Sequence, residues 1–154
     1  MLDQIQQYLI PWSAGIMISL LVTVLCMRKP LYGRRLLAIL FLLGMLANVY
    51  LAWIYPRDYL VFGQFTFLDS YRRFIYLILF RQAYWMGGLL ILAHAYLAFS
   101  YWRNEAVPTP AIIGAALFLL LITPLGFGAA FPAPLILLFG IFYLYKNNVE
   151  RAEA

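Results

Sequence analysis

The sequence predicts an all-α integral membrane protein, a single transmembrane domain over residues 1–154 built as a bundle of about five transmembrane helices. The first indication is composition: 66% of the residues are hydrophobic and 11% are charged, whereas soluble domains hold roughly 45–50% apolar and about 25% charged residues. The second is that the charges lie in clusters separating long apolar runs. Because the chain has too few charges to cover a water-exposed surface, we expect lipid to surround it.

Three charge-free windows each predict one span. A helix that crosses a hydrocarbon core of ~30 Å needs roughly 20 apolar residues, and runs of that length predict spans over 8–27, 36–56 and 82–102. The first run begins after the acidic start MLDQIQQ and ends in CMRKP, whereas a secretory signal carries basic residues before its apolar region. We therefore expect the first span to remain as a membrane anchor.

The last apolar run, 106–145, is about twice as long as one crossing requires. It contains the segment TPLGFGAAFPAP, in which three prolines and two glycines remove backbone donors and favour a turn. This pattern predicts a hairpin with spans over 110–127 and 131–146. Since both arms are short, a single crossing followed by a re-entrant segment, with four crossings in all, is the alternative.

The connection over 57–81 is rich in Tyr and Phe and carries the pair Arg72 and Arg73. It predicts an aromatic extracytoplasmic loop or an interfacial helix, which would begin near Asp69 with a cap from Asp69 or Ser70. Two interpretations are open for this segment. It either anchors or covers the bundle, or it forms a mouth that admits an amphiphile from the outer leaflet.

Basic residues predict the orientation, because Lys and Arg are enriched in cytoplasmic loops. Five crossings place seven basic residues on one side and four on the other. The larger set is Arg28, Lys29, Arg34, Arg35, Arg103, Lys146 and Arg151, and the smaller set is Arg57, Arg72, Arg73 and Arg81. The rule predicts a multi-pass protein of the cell membrane with its N-terminus outside and its C-terminus in the cytoplasm. A four-crossing arrangement divides the basic residues almost evenly and is less favoured.

Two polar residues lie at membrane depth, His94 in the third span and Asn48 in the second. An ionisable group inside a membrane is a functional hypothesis, since even the neutral imidazole needs a hydrogen-bond partner there. Small residues at Gly87 and Ala98 share the helix face of His94 and predict that this face packs inside the bundle. The expected partners of His94 are Asn48, the tyrosines Tyr50, Tyr96 or Tyr101, or a backbone carbonyl freed by one of the prolines.

Two readings of these residues are open. In the structural reading each makes a helix-to-helix hydrogen bond worth about 0.6–2 kcal/mol. In the functional reading His94, Asn48 and Tyr101 form a cofactor-binding site for a quinone headgroup or a pigment, or part of a proton path. Quinone is thus the alternative to our expectation of no cofactor.

Several chemistries lack the residues that they need. The chain has one His and one Cys, whereas a bis-histidine haem needs two histidines and a zinc site needs three or four ligands. No catalytic triad or Gly-rich phosphate loop is present in the sequence. The net charge of +5 comes from residues flanking apolar runs, where they meet lipid headgroups rather than nucleic acid. We therefore expect no catalytic residues, no metal site and no enzymatic activity from this chain alone.

The segments LYGRRLLAILFLLGMLANVYLAWIYP and ALFLLLITPLGFGAAFPAPLILLFGIFYLY, with an aromatic loop and a small-residue span between them, resemble small bacterial membrane proteins of the DoxX-like type. The resemblance covers about 31–145 and leaves the first span as an addition to that family's four helices. It implies a compact four-helix bundle in a bacterial inner membrane. Some relatives are linked to quinone-coupled sulfur oxidation.

Two function classes follow. The first is a non-enzymatic small integral membrane protein, either an accessory subunit or a binder of lipid-like molecules, with membrane lipids, other membrane subunits or a second copy of the chain as partners. The second is a quinone- or pigment-binding component of a membrane redox complex. A transporter is a weaker third class, suggested by the broken apolar run.

Overall fold

The computed structural model describes residues 2–103 and 106–153, and within these ranges the chain is built of helices and contains no strand. Residues 1, 104, 105 and 154 of the predicted domain, and the side chain of Arg151, lie outside this description. The α-helices are α1 (Leu2–Arg28), α2 (Pro30–Val49), α3 (Tyr59–Phe65), α4 (Asp69–Phe74), α5 (Ala83–Arg103), α6 (Thr109–Ile122) and α7 (Ala133–Glu153).

Three of these helices continue into turns of another pitch. Helix α2 runs on through wide π-type turns over Tyr50–Ile54, and α4 does the same over Ile75–Leu79. After α6 the chain tightens into 3₁₀ turns over Thr123–Ala129. Helices α2, α4 and α6 therefore each continue for one or two further turns with a different hydrogen-bond pattern.

In the part of the chain that is described, four helices are long and apolar enough to cross a membrane: Leu9–Arg28, Pro30–Ile54, Ala83–Arg103 and Thr109–Gly126. The second begins six residues before the predicted 36–56 span, because Pro30 is favourable in the first turn of a helix and the basic residues after it do not stop the helix. Helix α7 likewise continues past the apolar run predicted over 131–146. The charged residues therefore end the apolar runs, but helices α2 and α7 continue through them.

The long helices alternate in direction. Lys29 alone connects α1 to α2, and α2 lies antiparallel to α5, since Gly44 contacts His94 while Arg35 stacks over Trp102. Helix α6 runs antiparallel to α5, with Phe118 against His94.

Helix α7 packs beside α1 and runs in the same direction. Two hydrogen bonds show this, because the one further along α1 is also further along α7. Trp12 Nε1 donates to the carbonyl of Phe131 at 2.6 Å. Further along both helices, Thr23 Oγ1 donates to the carbonyl of Ile136 at 2.8 Å. The alternation therefore extends through all five long helices, including α7.

The bundle has two chemically different ends. At the first, which we term the basic end, Lys29 joins α1 to α2, Arg35 stacks over Trp102 and Arg103 ends α5. At the same end Asn148 Nδ2 donates to the carbonyl of Val107, just before α6, at 3.0 Å. At the second, the aromatic end, residues 55–81 meet the turn over 123–132. The hydrophobic core fills the basic half, where Cys26, Leu37, Phe41, Tyr101, Ala111 and Ile141 are buried together.

The outer face of the bundle is apolar. Leu89, Leu92 and Phe139 are 67%, 68% and 71% exposed, and many other large aliphatic and aromatic side chains point outward with them. A soluble monomer rarely exposes so continuous an apolar surface. Four long apolar helices with this outer face are compatible with a multi-pass membrane protein.

Candidate functional site: a cavity in the aromatic half

A cavity of about 450 Å³ lies in the aromatic half of the bundle and is lined by residues from α1, α2, α3, α5, α6 and α7. Its walls are aliphatic and aromatic, and in the described part of the chain the polar side chains that line it are Ser19, Asn48, Tyr59 and His94. Small-molecule sites typically have volumes of ~300–1,000 Å³, apolar walls and a few placed polar groups. The cavity fits that description.

The exposed members of the cavity lining indicate an opening on the outer face of the bundle between α1 and α2. Near the basic end these helices touch, because the backbone of Cys26 meets Gly33, which has no side chain to hold them apart. Toward the aromatic end both helices contribute residues to the cavity lining, such as Ser19 of α1 and Phe41 of α2. Ile18 and Ala47 both line the cavity and are exposed on the outer face. A molecule can therefore reach the cavity from the side of the bundle.

His94 is 3% exposed and lies in the wall of this cavity, so the prediction that its helix face is buried is confirmed. Its Nδ1 lies 2.7 Å from the carbonyl oxygen of Leu90. A carbonyl only accepts, so Nδ1 carries the proton and Nε2 of the neutral ring is an acceptor. The partner is a regular carbonyl of its own helix, whereas the sequence suggested the side chains of Asn48 or a nearby tyrosine, or a carbonyl freed by a proline.

Aromatic rings and one glycine hold the imidazole in place. Phe118 meets it edge-on with ring centroids 4.5 Å apart, and Phe41 lies 6.2 Å away at a steep angle. On the other side is Gly44, where an added Cβ would stand 2.8 Å from Nε2. Glycine at this position lets α2 pass close to the ring and leaves Nε2 uncovered by a side chain.

Asn48 and Tyr59 form a second polar pair in the cavity wall. Asn48 Nδ2 donates to the carbonyl of Gly44 at 2.9 Å, and the hydroxyl of Tyr59 donates to Asn48 Oδ1 at 3.1 Å. Burial raises the pKa of Tyr59 above its ordinary value, because the phenolate loses its hydration. The phenol therefore stays protonated and keeps the amide oriented.

Ser19 supplies the last polar group of the wall. Its hydroxyl donates to the carbonyl of Gly15 at 2.8 Å, one turn earlier in α1. The oxygen keeps lone pairs that accept a further hydrogen bond.

The segment predicted as an aromatic loop or interfacial helix, 57–81, contains α3 and α4 and covers the aromatic end of the cavity. Phe62 and Ile75 line the cavity from this side. The segment is tied to the turn after α6, since Thr66 Oγ1 and the amide of Phe67 donate to the carbonyl of Pro124 at 2.6 and 3.0 Å. This arrangement fits the covering interpretation, while the opening lies between α1 and α2.

The cap predicted for α4 has a different role. Asp69 is the first residue of α4 and makes no side-chain capping hydrogen bond. Its carboxylate pairs instead with Arg72, one turn later, at 3.1 Å. Both side chains are well exposed, so this ion pair contributes little to stability.

The turn over Thr123–Ala129 depends on Gly126. Its φ of 63° is in the left-handed region, where a β-carbon is unfavourable, and an added Cβ would also meet the carbonyl of Phe65. Phe67 and Phe131 stack edge to face at 5.2 Å beside it. Gly126 thus permits the close contact between the turn and the covering segment.

Of the three residues predicted to bind a cofactor, the structure brings His94 and Asn48 to the same cavity. Gly44, which contacts His94, is one helical turn from Asn48, about 6 Å along α2. Tyr101 lies elsewhere: its side chain is fully buried in the core of the basic half, 5.6 Å from Phe41 between ring centroids. Tyr101 is two helical turns from His94 along α5, on the side of the basic end, and so lies outside the cavity.

Tyr59, Ser19 and Phe118 were missed by the sequence reasoning. Ser19 follows an apolar run and has the same pattern as any serine that bonds back to its own helix. Tyr59 lies among many aromatic residues of the covering segment, and its position opposite Asn48 follows from the packing of α3. A polar side chain facing two elements at once has no local sequence signal.

Comparison with known proteins adds no further identification. The chain matches no protein-family model, no curated protein and no solved structure. The DoxX-like resemblance read from the sequence therefore stays a prediction.

Proposed function

We propose that this protein is an integral membrane protein that binds a lipid-like molecule in the cavity between α1 and α2. The observation that carries the proposal is the cavity itself: about 450 Å³, apolar walls, four polar side chains and an opening on the outer face of the bundle. Because that outer face is apolar, the opening faces acyl chains in a bilayer. A lipid-like ligand would then enter sideways without crossing water.

Five crossings are part of this proposal. Helix α7 runs parallel to α1 and antiparallel to α6, which supports a full crossing rather than a re-entrant loop. The five helices place the larger set of basic residues at one end, so the positive-inside rule favours an N-terminus outside and a C-terminus in the cytoplasm. The bacterial inner membrane and membership of the DoxX-like family rest on the sequence resemblance.

We propose binding rather than catalysis as the role of the site. Three of its polar side chains, Ser19, Tyr59 and His94, direct a proton to an oxygen of the protein itself. Such groups hold and orient a polar head. An accessory role beside other membrane subunits, or association with a second copy, is compatible with this function.

A binding measurement on purified protein tests the proposal. The protein is extracted in mild detergent, and the binding of a fluorescent fatty-alcohol probe to the parent is compared with its binding to Ala47→Trp, which places a large ring beside the cavity lining. Ala93→Trp is the matched control, because Ala93 is exposed on α5 and does not line the cavity. We expect probe binding to the parent and the control and at least a tenfold weaker affinity for Ala47→Trp. Equal binding by both variants, or none by the parent, would contradict the proposal.

A quinone-type ring, as quinone or as quinol, is the second candidate ligand, and the aromatic walls around His94 favour it. The imidazole lies between Phe118 and Phe41, so a planar ring entering the cavity meets aromatic walls beside a hydrogen-bonding nitrogen. An extract of the purified protein, analysed by mass spectrometry and visible absorption, separates the two ligand classes. Quinone recovered in equal amount with the protein would favour the redox-component alternative over the accessory lipid binder.

A further inference from the structure

The polar groups of the cavity share one property, which is that they accept hydrogen bonds. Ser19 Oγ donates its one proton to the carbonyl of Gly15, Tyr59 donates its own to Asn48, and His94 donates from Nδ1 to Leu90. After these bonds, each of the three side chains has only lone pairs left for a ligand. Asn48 keeps a single N–H beyond the one that it donates to Gly44.

A ligand that fits this pattern must bring its own donor. A ketone or ester oxygen placed near Nε2 of His94 would set one lone pair against another, whereas a hydroxyl would complete the hydrogen bond. His94 lines the cavity, and its Nε2 edge lies against Gly44, so that residue places no side chain between Nε2 and the cavity. The neighbouring rings, Phe118 at 4.5 Å and Phe41 at 6.2 Å between centroids, form walls suited to an aromatic head.

We infer that the cavity selects a hydroxyl-headed amphiphile, with the head donating to Nε2 of His94, and therefore binds a quinol in preference to the corresponding quinone. This inference rests on the proposed function, namely that a lipid-like molecule occupies the cavity. It adds the chemistry of the head: Nε2 of His94 requires a donor, so a head that carries only acceptors loses this hydrogen bond and keeps at most the one from the remaining N–H of Asn48. The hydroxyl of a monoacylglycerol has the same donor, so the chemistry is common to a quinol and a glycerolipid.

The test compares ligands that share a decyl chain and differ in the head. The probes are a decyl-tailed benzoquinol kept reduced under anaerobic conditions, the matching quinone, the dimethyl ether of the quinol, and monodecanoylglycerol. The affinity of each is measured by its displacement of the fluorescent fatty-alcohol probe from the full-length protein in detergent. A buried hydrogen bond that is made in one complex and lost in another changes affinity about tenfold. We expect the quinol to bind about tenfold more tightly than the quinone and the ether.

Two variants connect the preference to His94. His94→Phe keeps an aromatic ring and removes both nitrogens, so the quinol should fall to the affinity of its ether. Gly44→Ala leaves His94 in the chain but adds a methyl group 2.8 Å from Nε2, and it should lower the preference in the same way. Gly88→Ala is the matched control, because an added Cβ at Gly88 meets nothing within 4 Å, and it should keep the preference of the parent.

The outcomes separate the inference from the proposed function. Tighter binding of both hydroxyl heads than of the ether supports the inference, and the tighter of the two identifies the source as quinol or glycerolipid. Binding of the quinone or the ether within twofold of the quinol, or an unchanged preference in both His94→Phe and Gly44→Ala, overturns the inference and leaves the binding function in place. Failure of every decyl-tailed probe to bind the parent overturns both.

Discussion

The hydroxyl of Tyr59 donates a 3.1 Å hydrogen bond to Oδ1 of Asn48, and this contact joins the covering segment to the interior of α2. Asn48 is held from its other side by the carbonyl of Gly44, the residue that also contacts His94. One short chain of contacts therefore connects α3, the amide at membrane depth and the imidazole in the cavity wall. A displacement of α3 would therefore change the position of Asn48 in the cavity wall.

The first prediction concerns this hydrogen bond. Tyr59→Phe keeps the ring and removes the hydroxyl, which leaves Oδ1 of Asn48 without its donor inside the bundle. We expect the free energy of unfolding to fall by about 1 kcal/mol, the usual net value of one such bond. Tyr84→Phe is the control, because Tyr84 is exposed, and its stability should equal that of the parent. Unfolding in a series of detergent mixtures, followed by tryptophan fluorescence, measures both, and equal stability of the two variants would contradict the prediction.

The second prediction concerns alkaline pH. Burial raises the pKa of Tyr59 above its ordinary value of 10.0. Above pH 10 the unfolded chain therefore releases a proton that the folded chain keeps, so this residue's contribution to stability is complete below pH 10 and is lost as pH rises further. We expect the stability of the parent to fall above pH 10 more steeply than that of Tyr59→Phe. Parallel curves for the two proteins between pH 9 and 11 would show that Tyr59 ionises equally well in both states.

Much of the scaffold was predictable from the sequence, because lipid-length apolar runs and proline clusters are local signals. The charges of 28–35 mark the first turn between helices, and TPLGFGAAFPAP coincides with the non-helical geometry at Gly126. The burial of His94 also followed from small residues on its face. These features depend on residues that are close together in the chain.

The contents of the site were less predictable, because they depend on which helices meet. His94 and Asn48 reach one cavity only because Gly44 allows α2 to lie against the imidazole. Tyr101 shares the helix face of His94, yet it lies two turns nearer the basic end, in the closed hydrophobic core. The place where two helices leave an opening depends on how they pack, so it cannot be predicted from the apolar runs of the sequence.

The third prediction tests the packing of α7 on α1. Thr23 Oγ1 donates to the carbonyl of Ile136 at 2.8 Å, and Gly140 lies against the same threonine. Thr23→Val keeps the shape and removes the donor, so we expect a loss of about 1 kcal/mol in the free energy of unfolding. Thr109→Val changes an exposed threonine at the start of α6 and should have no effect. Indistinguishable melting temperatures for the two variants would argue that α7 is held by other contacts.

The fourth prediction tests the orientation of the bundle in the membrane. Ser70 is exposed at the aromatic end and Thr109 is exposed at the basic end. In a background with Cys26→Ala, we expect Ser70→Cys to react with an impermeant thiol reagent in intact cells. Thr109→Cys should react only after the membrane is made permeable, because the larger set of basic residues favours the cytoplasm. The reverse pattern of labelling would require the opposite orientation.

The last prediction separates a structural from a ligand-binding role of His94. If His94 bonded to a side chain on another helix, His94→Leu would leave that partner without its hydrogen bond, but Nδ1 bonds to the carbonyl of Leu90 within the same helix. That carbonyl also accepts the backbone N–H of residue 94 in the helix, so it keeps a partner when the side chain changes. We expect His94→Leu to unfold within about 1 kcal/mol of the parent, because leucine is favourable in an apolar wall. The same variant should lose its ligand, whereas His94→Gln, which retains an acceptor, should keep part of it. Thermal unfolding and ligand content measured on the same preparations give both answers. A large loss of stability in His94→Leu with the ligand still bound would assign His94 a structural role instead.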